Sequence, residues 1–395
     1  MKKLLVITLG VLMAVMMAAP QFAAAEKPIK IGVIVPLSGI VAQGGAEMRD
    51  GIAMAAKEKG TILGRPIQLI VEDTRIKPDV AVSKAEKLVF KDECVALIGV
   101  FSSGVGLAIA KNIDRLNVPF LTTHVMETKL YGLNKLVFRS GQLANDQTAL
   151  GNVMSIMATP DLKKRKYYVL VHDYAWGHDA AKRFIELAKK NGIEVVNPDF
   201  DKAPTKTTDW STYISKIKAS GADGVYIALI TNVIPVFAKQ AYDFGITKYA
   251  RIVTAAAPGP MELEAGGEAC VGIFGVSDYS WAIKNPKNDV WAPKFWKEYK
   301  TIPSDAACHS YVGAMNLFNG IEKAGSTDPM KIADALRGIS FDGPYGVVRI
   351  SAKDNCMRND AVLTETALAP PNPYNAKIYM KVLRTFTAKE LGPPE

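Results

Sequence analysis

The sequence is poor in the residues that bind metals or carry redox chemistry. It has only four cysteines and four histidines among 395 residues. The wide spacing of the cysteines excludes the close C-x-x-C pairs of zinc and thioredoxin-like sites. No two histidines have metal-ligand spacing, so we expect neither a metal site nor a cofactor. These residues are Cys94, Cys270, Cys308 and Cys356, and His124, His172, His178 and His309.

The state of the cysteines stays open at the level of the sequence. In an oxidising compartment all four would be free to pair, and sequence does not reveal which pairs would form. Cys94 and Cys270 also fit a second interpretation, in which they are small buried apolar residues at the edges of strands.

Familiar catalytic motifs are missing as well. Gly104-Val105-Gly106 opens a predicted helix after a strand, but Ile109 stands where a dinucleotide fingerprint needs its third glycine. The chain has no phosphate-binding P-loop and no G-x-S-x-G nucleophile elbow. We therefore expect a protein that is not an enzyme.

The charge balance does not indicate a nucleic-acid-binding protein. The formal net charge is +9, a modest excess spread over the chain as single residues and pairs. The densest cluster, Lys163-Lys164-Arg165-Lys166, precedes a predicted strand and has no aromatic residues interleaved with it. We interpret it as a solvated turn.

The first residues are typical of a secretory signal peptide. Met1-Lys2-Lys3 is a short basic start, an apolar run extends from Leu4 to Ala19, and Ala23-Ala24-Ala25 forms a small-residue cleavage site. The apolar run is shorter than the ~20 residues of a membrane-spanning helix. We expect residues 1–25 to be removed and the mature chain to be periplasmic. No cysteine lies near the cut, so we expect no lipid anchor.

From residue 29 onward, buried strands alternate with amphipathic helices. Ile29 to Val35 is a predicted strand, and Met48, Ile52 and Ala55 share one face of the helix after it. The alternation restarts after Arg139. Further strands are predicted at 67–71, 95–100, 118–121, 167–171, 193–196, 224–230 and 251–254. Such alternation indicates an α/β fold with doubly wound parallel sheets.

The length and the restart together predict two lobes. About 370 residues remain after cleavage, enough for two cores. The segment from about residue 279 is mostly helical and ends in short strands at 347–350, 361–368 and 378–383. From the pattern alone, a single long α/β domain remains the alternative.

Polar loops at the ends of strands are the candidate binding site, because open parallel sheets bind ligands there. Ser102 and Ser103 follow one predicted strand, and Thr122, Thr123 and His124 follow the next. Hydroxyl groups at the start of a helix, together with its free amides, suit a carboxylate. Ordinary helix capping is the alternative role for these residues.

Two large aromatic residues occupy a similar position in the second half. Tyr174 and Trp176 lie where a predicted strand passes into a helix. We interpret them as a stacking wall for a ligand. Packing in the core is the alternative.

Several segments together resemble the leucine/isoleucine/valine-binding protein family. The resemblance covers nearly the whole mature chain in order. Its pieces are Ile31-Gly32-Val33, Pro36-Leu37-Ser38-Gly39, Ala42-Gln43-Gly44, Asp50-Gly51, Leu69 to Asp73, Ala81 through Ala85 to Leu88, Ile98-Gly99, Val118-Pro119-Phe120, Phe138-Arg139-Ser140 and Phe341-Asp342-Gly343-Pro344-Tyr345-Gly346.

The resemblance implies a type I periplasmic binding fold, in which two doubly wound lobes are joined by a three-segment hinge and close over a ligand. It assigns residues 26–140 and 280–357 to lobe I, and residues 141–279 and 358–395 to lobe II. It further implies a solute-binding protein that delivers a small organic molecule to an inner-membrane ABC permease. We expect this protein to be a monomer, although the sequence does not reveal the oligomeric state.

When the family's site residues are mapped onto this sequence, the position that binds the ligand's carboxylate is kept, but the positions that bind its ammonium group are not. The carboxylate-binding serine corresponds to Ser103, with Ser102 beside it. The ammonium-binding positions correspond to His124, Met126 and a residue near Ala255 or Ala256. A cation buried without an acceptor or counter-charge is costly, which argues against an α-amino acid.

The positions that contact the ligand side chain also differ from the family pattern. A family tryptophan corresponds to Gly44, one tyrosine to Trp176 and another to Ile230, which precedes Thr231. We expect Gly44 to open space that Trp176 lines.

The resulting hypothesis is a carboxylate ligand with an apolar or aromatic body, held by Ser102, Ser103 and the loop 122–124. The nearest alternative is a branched-chain or aromatic amino acid whose ammonium group is met by His124, Glu127 or Glu262. An exported enzyme on this fold and a sensory ligand-binding partner of a receptor are alternatives from other classes.

Overall fold

The computed structural model describes residues 27–392 of the chain. The predicted signal peptide, residues 1–25, lies outside the described residues. Within residues 27–392, no helix combines the length and the apolar character needed to cross a membrane.

The first part of the chain builds a six-stranded sheet with the order β2-β3-β1-β4-β5-β6. All neighbouring strands are parallel except β2 and β3. We call the part of the molecule built on this sheet lobe I. Its strands are β1 (Ile29–Val35), β2 (Thr61–Ile62), β3 (Arg65–Asp73), β4 (Ala96–Gly99), β5 (Phe120–Thr122) and β6 (Val137–Arg139).

The helices between these strands cover the sheet. Met48, Ile52 and Ala55 are buried on one face of the first helix, as their spacing predicts. The helices are α1 (Ala42–Lys59), α2 (Pro78–Glu86), which continues into a π-helical turn (Lys87–Lys91), α3 (Ser103–Lys111) and α4 (Ile113–Leu116).

After β6 the chain crosses into a second α/β unit. Its helices are α5 (Asn145–Ala158), α6 (Pro160–Lys163), α7 (Ala175–Lys190), α8 (Ser211–Ala219), α9 (Ile234–Asp243) and α10 (Pro260–Gly266). Its strands are β7 (Tyr167–His172), β8 (Asp201–Ala203), β9 (Gly224–Ala228), β10 (Arg251–Thr254) and β11 (Ile273–Ser277). Short 3₁₀ turns lie at Thr128–Leu130, Thr231–Val233, Ile246–Lys248 and Gly267–Cys270.

The chain then returns to the first lobe and crosses once more. The return segment contains α11 (Pro286–Tyr299), α12 (Asp305–Ala324), α13 (Pro329–Leu336) and a small sheet of β12 (Ser340–Gly343), β13 (Gly346–Ile350) and β14 (Met357–Arg358). Helix α12 packs along α1. The final segment holds β15 (Ala361–Leu368), β16 (Ile378–Phe386) and α14 (Ala388–Leu391).

The second sheet has the order β16-β15-β11-β10-β9-β7-β8. Strands β7 to β11 are parallel, whereas β15 and β16 add an antiparallel edge. We call the part built on this sheet lobe II. The expected α/β architecture of two lobes is confirmed, with a second sheet that is mixed rather than purely parallel.

One predicted strand is wrong. Residues 193–196 form no strand, and only Val195 makes an isolated bridge to Tyr167. Next in the chain, the side-chain amide of Asn197 bonds both backbone groups of Val169 on β7, at 2.8 and 3.0 Å. A side chain therefore replaces the backbone ladder there, and the edge strand forms later, at β8. Strand β11 was not predicted at all.

The first connection between the lobes is bonded to the second and to the strand that leads into the third. The Leu143 amide of the first donates to Asp278 Oδ2 of the second at 2.9 Å. The Gly141 amide approaches Met357 Sδ, before the third, at 2.9 Å. Gly141 has a φ of +151°, and a Cβ there would lie 2.2 Å from the Thr123 carbonyl oxygen. Only glycine therefore fits this position.

All four cysteines are buried and unpaired. Burial raises the pKa of the Cys94 thiol to about 12 and those of Cys270 and Cys356 to about 11. The structure therefore supports the second interpretation for Cys94 and Cys270, as small buried apolar residues.

Candidate ligand-binding site

A cleft with about 380 Å³ of space between its walls, part of it open to solvent, lies between the two lobes. Each residue that lines it follows the carboxyl end of a parallel strand, from β4, β5 and β6 in lobe I and from β7, β9 and β10 in lobe II. This is where doubly wound sheets bind ligands. The lining residues are Phe101, Ser103, His124, Met126, Gln142, Tyr174, Trp176, Ile230 and Ala256.

Seven of the eleven predicted site residues are among these nine. Of the other four, Thr122 is fully buried in its strand, and the Thr123 hydroxyl is bonded to Ser310 Oγ at 2.9 Å. Ser102 precedes α3 and lines no part of the cavity. The side chain of Thr231 is outside what the structure describes.

Two lining residues were not predicted. Phe101 lies two residues after the end of β4, and the strand-end rule that led to the serines would also have found it. Gln142 belongs to the first crossover between the lobes, and only knowledge of that crossover places its side-chain amide at the site. Its main-chain carbonyl accepts a hydrogen bond from the buried Arg139 guanidinium at 2.5 Å.

Ser103 offers a hydroxyl group at the start of a helix. It is the first residue of α3 and is 3% exposed. Within residues 27–392 its hydroxyl makes no hydrogen bond to another side chain or to the backbone. The first amides of a helix have no partner inside it and carry the positive end of its dipole. This edge of the cavity is therefore suited to an anionic oxygen.

His124 is the lining residue with the most informative hydrogen bonding. Its Nδ1 lies 3.5 Å from Nδ1 of His309, whose Nε2 lies 2.5 Å from Asp278 Oδ1. Burial lowers the pKa of His124 to about 3. Burial also acts to lower the pKa of His309, but the Asp278 carboxylate outweighs it and raises that pKa above its ordinary value.

These contacts form a chain from Asp278 through His309 to His124, which ends at the cavity. Nδ1 of His309 faces Nδ1 of His124, and the tautomers of the two rings decide which of them donates. The low pKa of His124 keeps its ring uncharged, and in the tautomer in which Nδ1 accepts, Nε2 carries the hydrogen.

The rest of the wall is largely aromatic. The rings of Phe101 and His124 are 4.5 Å apart, and those of Tyr174 and Trp176 are 5.8 Å apart. Trp176 Nε1 points at Met126 Sδ at 3.1 Å. None of the nine lining residues carries a charge at neutral pH, because His124 is neutral.

The structure corrects the role expected for Gly44. A Cβ at Gly44 would lie 2.8 Å from Cε2 of Phe101, so the missing side chain makes room for the Phe101 ring. Gly44 lines a neighbouring cavity, whereas Trp176 lines the first one. The predicted contact between Trp176 and space opened at Gly44 is therefore wrong.

The neighbouring cavity, of about 440 Å³, is acidic. It shares Phe101 and His124 with the first cavity and is also lined by Glu47, Glu262 and Asp305. Burial is the main cause that raises the pKa of Glu47 to about 7, with Glu262 and Asp305 adding to it. Glu127, the other acid considered for an ammonium group, lines neither cavity.

Contacts between the lobes hold the cleft closed around these cavities. The Asn232 side chain of lobe II donates to the Ile40 carbonyl of lobe I. On another side of the cleft, Asp179 accepts from the Thr128 hydroxyl at 3.1 Å and from the Thr128 amide at 3.3 Å. Arg183 reaches the same hydroxyl at 3.3 Å.

Two lobes of opposed α/β sheets, three crossovers and a cavity between them define a type I periplasmic binding protein. The periplasmic binding protein family model matches residues 28–368. The chain belongs to this family, and the resemblance found in the sequence is confirmed.

Individual relatives agree with this assignment. The chain is 27% identical over 373 residues to Leu/Ile/Val-binding protein homolog 6 of Brucella suis, covering 91% of both chains. A leucine-binding protein of Thermotoga maritima has a TM-score of 0.78 and 26% identity, with coverage of 92% of this chain and 99% of that one. An ABC-transporter solute-binding protein of R. palustris, in complex with 4-hydroxybenzoate, has a TM-score of 0.83 and 22% identity, with coverage of 91% and 97%.

Proposed function

We propose that this chain is the solute-binding protein of an ABC importer and captures a small carboxylate with an aromatic or apolar body. The observation that carries the proposal is the uncharged, aromatic-walled cavity between the lobes, which has free hydrogen-bond donors at one edge. An α-amino acid would bury its ammonium group there without a counter-charge, which is costly.

In the proposed complex, the carboxylate lies at the start of α3. The Ser103 hydroxyl and the free amides of that helix donate to its oxygens, and the helix dipole favours its charge. The Gln142 amide and His124 Nε2 are further donors to the carboxylate or to a ring hydroxyl. Hydrogen bonds from several neutral donors can replace the water that an anion loses on burial.

The body of the ligand would lie against Phe101, Tyr174 and Trp176. Aromatic rings pack well in offset or edge-to-face arrangements, which the tilted rings of this wall can provide. The R. palustris protein that holds 4-hydroxybenzoate has the same fold, which supports an aromatic acid as the first ligand class to test.

The wider role follows from the family. We propose that residues 1–25 are removed on export, that the mature monomer is periplasmic without a lipid anchor, and that it presents its closed form to an inner-membrane permease. Lobe I would comprise residues 26–140 and 280–357, and lobe II residues 141–279 and 358–395. We further propose that the chain binds its ligand without chemical turnover, because the cavity wall contains no nucleophile paired with a base.

A branched-chain or aromatic amino acid is the second candidate, and one observation favours it. Glu262 lies in the acidic cavity next to the aromatic one, and His124 and Phe101 form the shared wall. A ligand that reached past this wall could place an ammonium group among Glu47, Glu262 and Asp305. The T. maritima relative is a leucine-binding protein.

A panel of ligands separates the two candidates. The chain from residue 26 onward is unfolded, dialysed and refolded to remove co-purified ligand, and then titrated calorimetrically with benzoate, 4-hydroxybenzoate, L-leucine and L-phenylalanine. We expect the two benzoates to bind and leucine to give no heat. Tight binding of leucine with no response to the benzoates would refute the aromatic-acid assignment and favour the amino acid.

Ser103→Ala tests the carboxylate end of the site. We expect about a tenfold loss of affinity for 4-hydroxybenzoate, because one hydrogen bond to a charged group is lost while the helix amides remain. Ser102→Ala is the matched control, since this neighbouring hydroxyl does not line the cavity. Equal affinities of the two variants in calorimetry would show that the carboxylate does not bind at the start of α3.

Asp179→Ala tests the contact that holds the cleft closed. Loss of the acceptor for both Thr128 groups, and for the Asn145 side chain of its own lobe, should favour the open form and lower ligand affinity about tenfold, although Asp179 does not line the cavity. Asp173→Ala is the control, because Asp173 bonds His178 on the surface of the same lobe. Small-angle scattering of the ligand-free protein should show a larger radius of gyration only for Asp179→Ala.

A further inference from the structure

A cluster of metal-binding side chains lies in the wall of the acidic cavity. His124, Asp305 and His309 each offer one ligand atom, and these atoms all lie within 4.8 Å of one another. The two histidines are buried and Asp305 is half-buried. The two histidines are 185 positions apart in the sequence, so their spacing along the chain did not predict that they meet.

The fold, rather than a local motif, assembles this cluster. Asp305 and His309 are four residues apart on α12, so their side chains share one face of that helix. His124 approaches them from the loop that follows β5. The two Nδ1 atoms are 3.5 Å apart, close to the roughly 3.4 Å expected between donors around a tetrahedral zinc ion. Rotation of the Asp305 side chain can bring its carboxylate closer.

Asp278 gives the cluster an outer partner. It holds His309 Nε2 at 2.5 Å, so the other ring nitrogen, Nδ1, faces His124 and can act as a ligand. Metal-binding histidines commonly donate their second N–H to a carboxylate, which fixes the ring and raises its basicity. The second oxygen of Asp278 accepts from the Leu143 amide at 2.9 Å, so the carboxylate is itself held in place.

The charges around the cluster favour a cation. The Asp305 carboxylate is contacted by amides at the start of α12 and by no side-chain donor within residues 27–392. Glu47 and Glu262 line the same cavity. His309 is a positive group that acts on the Asp305 carboxyl, and a bound cation would add a second counter-charge for the carboxylates that line this cavity.

We infer that His124, His309 and Asp305 bind a divalent transition metal ion of the Zn²⁺ class. Two imidazoles and one carboxylate leave at least one coordination position open, as in sites that accept water or an exogenous donor. Because His124 and Asp305 both line the acidic cavity, that position faces the cleft. Binding requires a free Nδ1 on both rings and therefore releases the proton that His309 shares with His124.

The test uses the mature chain after treatment with EDTA and removal of the chelator. Zn²⁺ is titrated by calorimetry and, separately, in competition with a chromophoric chelator. We expect one saturable site of micromolar or tighter affinity. Titration with Co²⁺ should give visible d–d absorption without a near-ultraviolet sulfur band, which distinguishes this site from binding at a cysteine.

Three variants identify the ligands. His309→Gln is expected to weaken Zn²⁺ binding at least about a hundredfold, and Asp278→Asn, which contacts the proposed ligands through His309, by about ten- to a hundredfold. His124→Gln serves the same purpose if His309→Gln does not fold, as judged by circular dichroism. His178→Gln is the control, since His178 pairs with Asp173 on the surface.

The inference does not depend on the proposed carboxylate, because the probe is the metal alone. It is overturned if the wild type shows no saturable site, or if His309→Gln and His124→Gln, both folded, bind Zn²⁺ as the wild type does. His124 and His309 would then form only the chain of contacts with Asp278 described above.

Discussion

Trp176→Ala is expected to lower the affinity for 4-hydroxybenzoate roughly a hundredfold, since a large aromatic residue at the centre of a binding site commonly contributes 2 kcal/mol or more. Trp176 is 5% exposed, lines the cavity from lobe II and packs beside Tyr174. Its loss removes the stacking surface and its contact with Met126 across the cleft. Isothermal calorimetry on the ligand-stripped protein measures the effect.

Two further variants separate loss of contact from loss of folding. Trp176→Phe keeps a ring in place and should recover most of the affinity. Trp296→Ala removes a ring of the same type that packs against Tyr374 away from the cavity, and it should bind as the wild type does. Wild-type affinity in a folded Trp176→Ala protein would show that the ligand lies elsewhere.

Glu47→Gln is expected to change how stability depends on pH. The Glu47 carboxyl has a pKa of about 7, raised from its ordinary value of 4.5 chiefly by burial. Between these pH values the folded chain binds more protons than the unfolded chain, so the free energy of unfolding falls as the pH rises from about 4.5 to 7. The wild type loses roughly 3 kcal/mol over this range through this group, and the variant does not.

Urea denaturation at pH 5 and pH 8 measures this difference for the metal-free, ligand-free protein. The stability of Glu47→Gln relative to the wild type should rise between the two pH values. Glu298→Gln, which loses a surface pair with Lys57, is the control and should leave the pH dependence unchanged. If Glu47→Gln and the wild type depend on pH in parallel, the carboxyl titrates in the folded protein as it does in the unfolded chain.

Much of the fold could be predicted because the strands of parallel sheets are continuous apolar runs. Strand β1 and strand β10 lie where the pattern placed them. The failure at residues 193–196 has a local cause, since the Asn197 side chain takes over the backbone bonding of Val169. A run of apolar residues does not show that a nearby side chain will replace the backbone hydrogen bonds of a strand.

The candidate site was predictable where position along a strand determines which residues face the cleft. Ser103 and Trp176 were found in this way. The sequence could not show that Thr123 lies outside the cavity wall, because its hydrogen bond to Ser310 depends on how α12 packs. Gln142 reaches the cavity because it lies in the first crossover between the lobes. His124 contacts His309 because α12 returns to lobe I. Neither feature can be predicted from the local sequence.

The bonded crossovers have a consequence for how such proteins diversify. Gly141, Leu143, Asp278 and Met357 join the first connecting segment to the second and to the strand before the third, and none of the four lines the aromatic cavity. Substitutions in the cavity wall can therefore change selectivity without removing these bonds between the segments. If the lobes open and close as we propose, the same connection serves importers whose ligands differ.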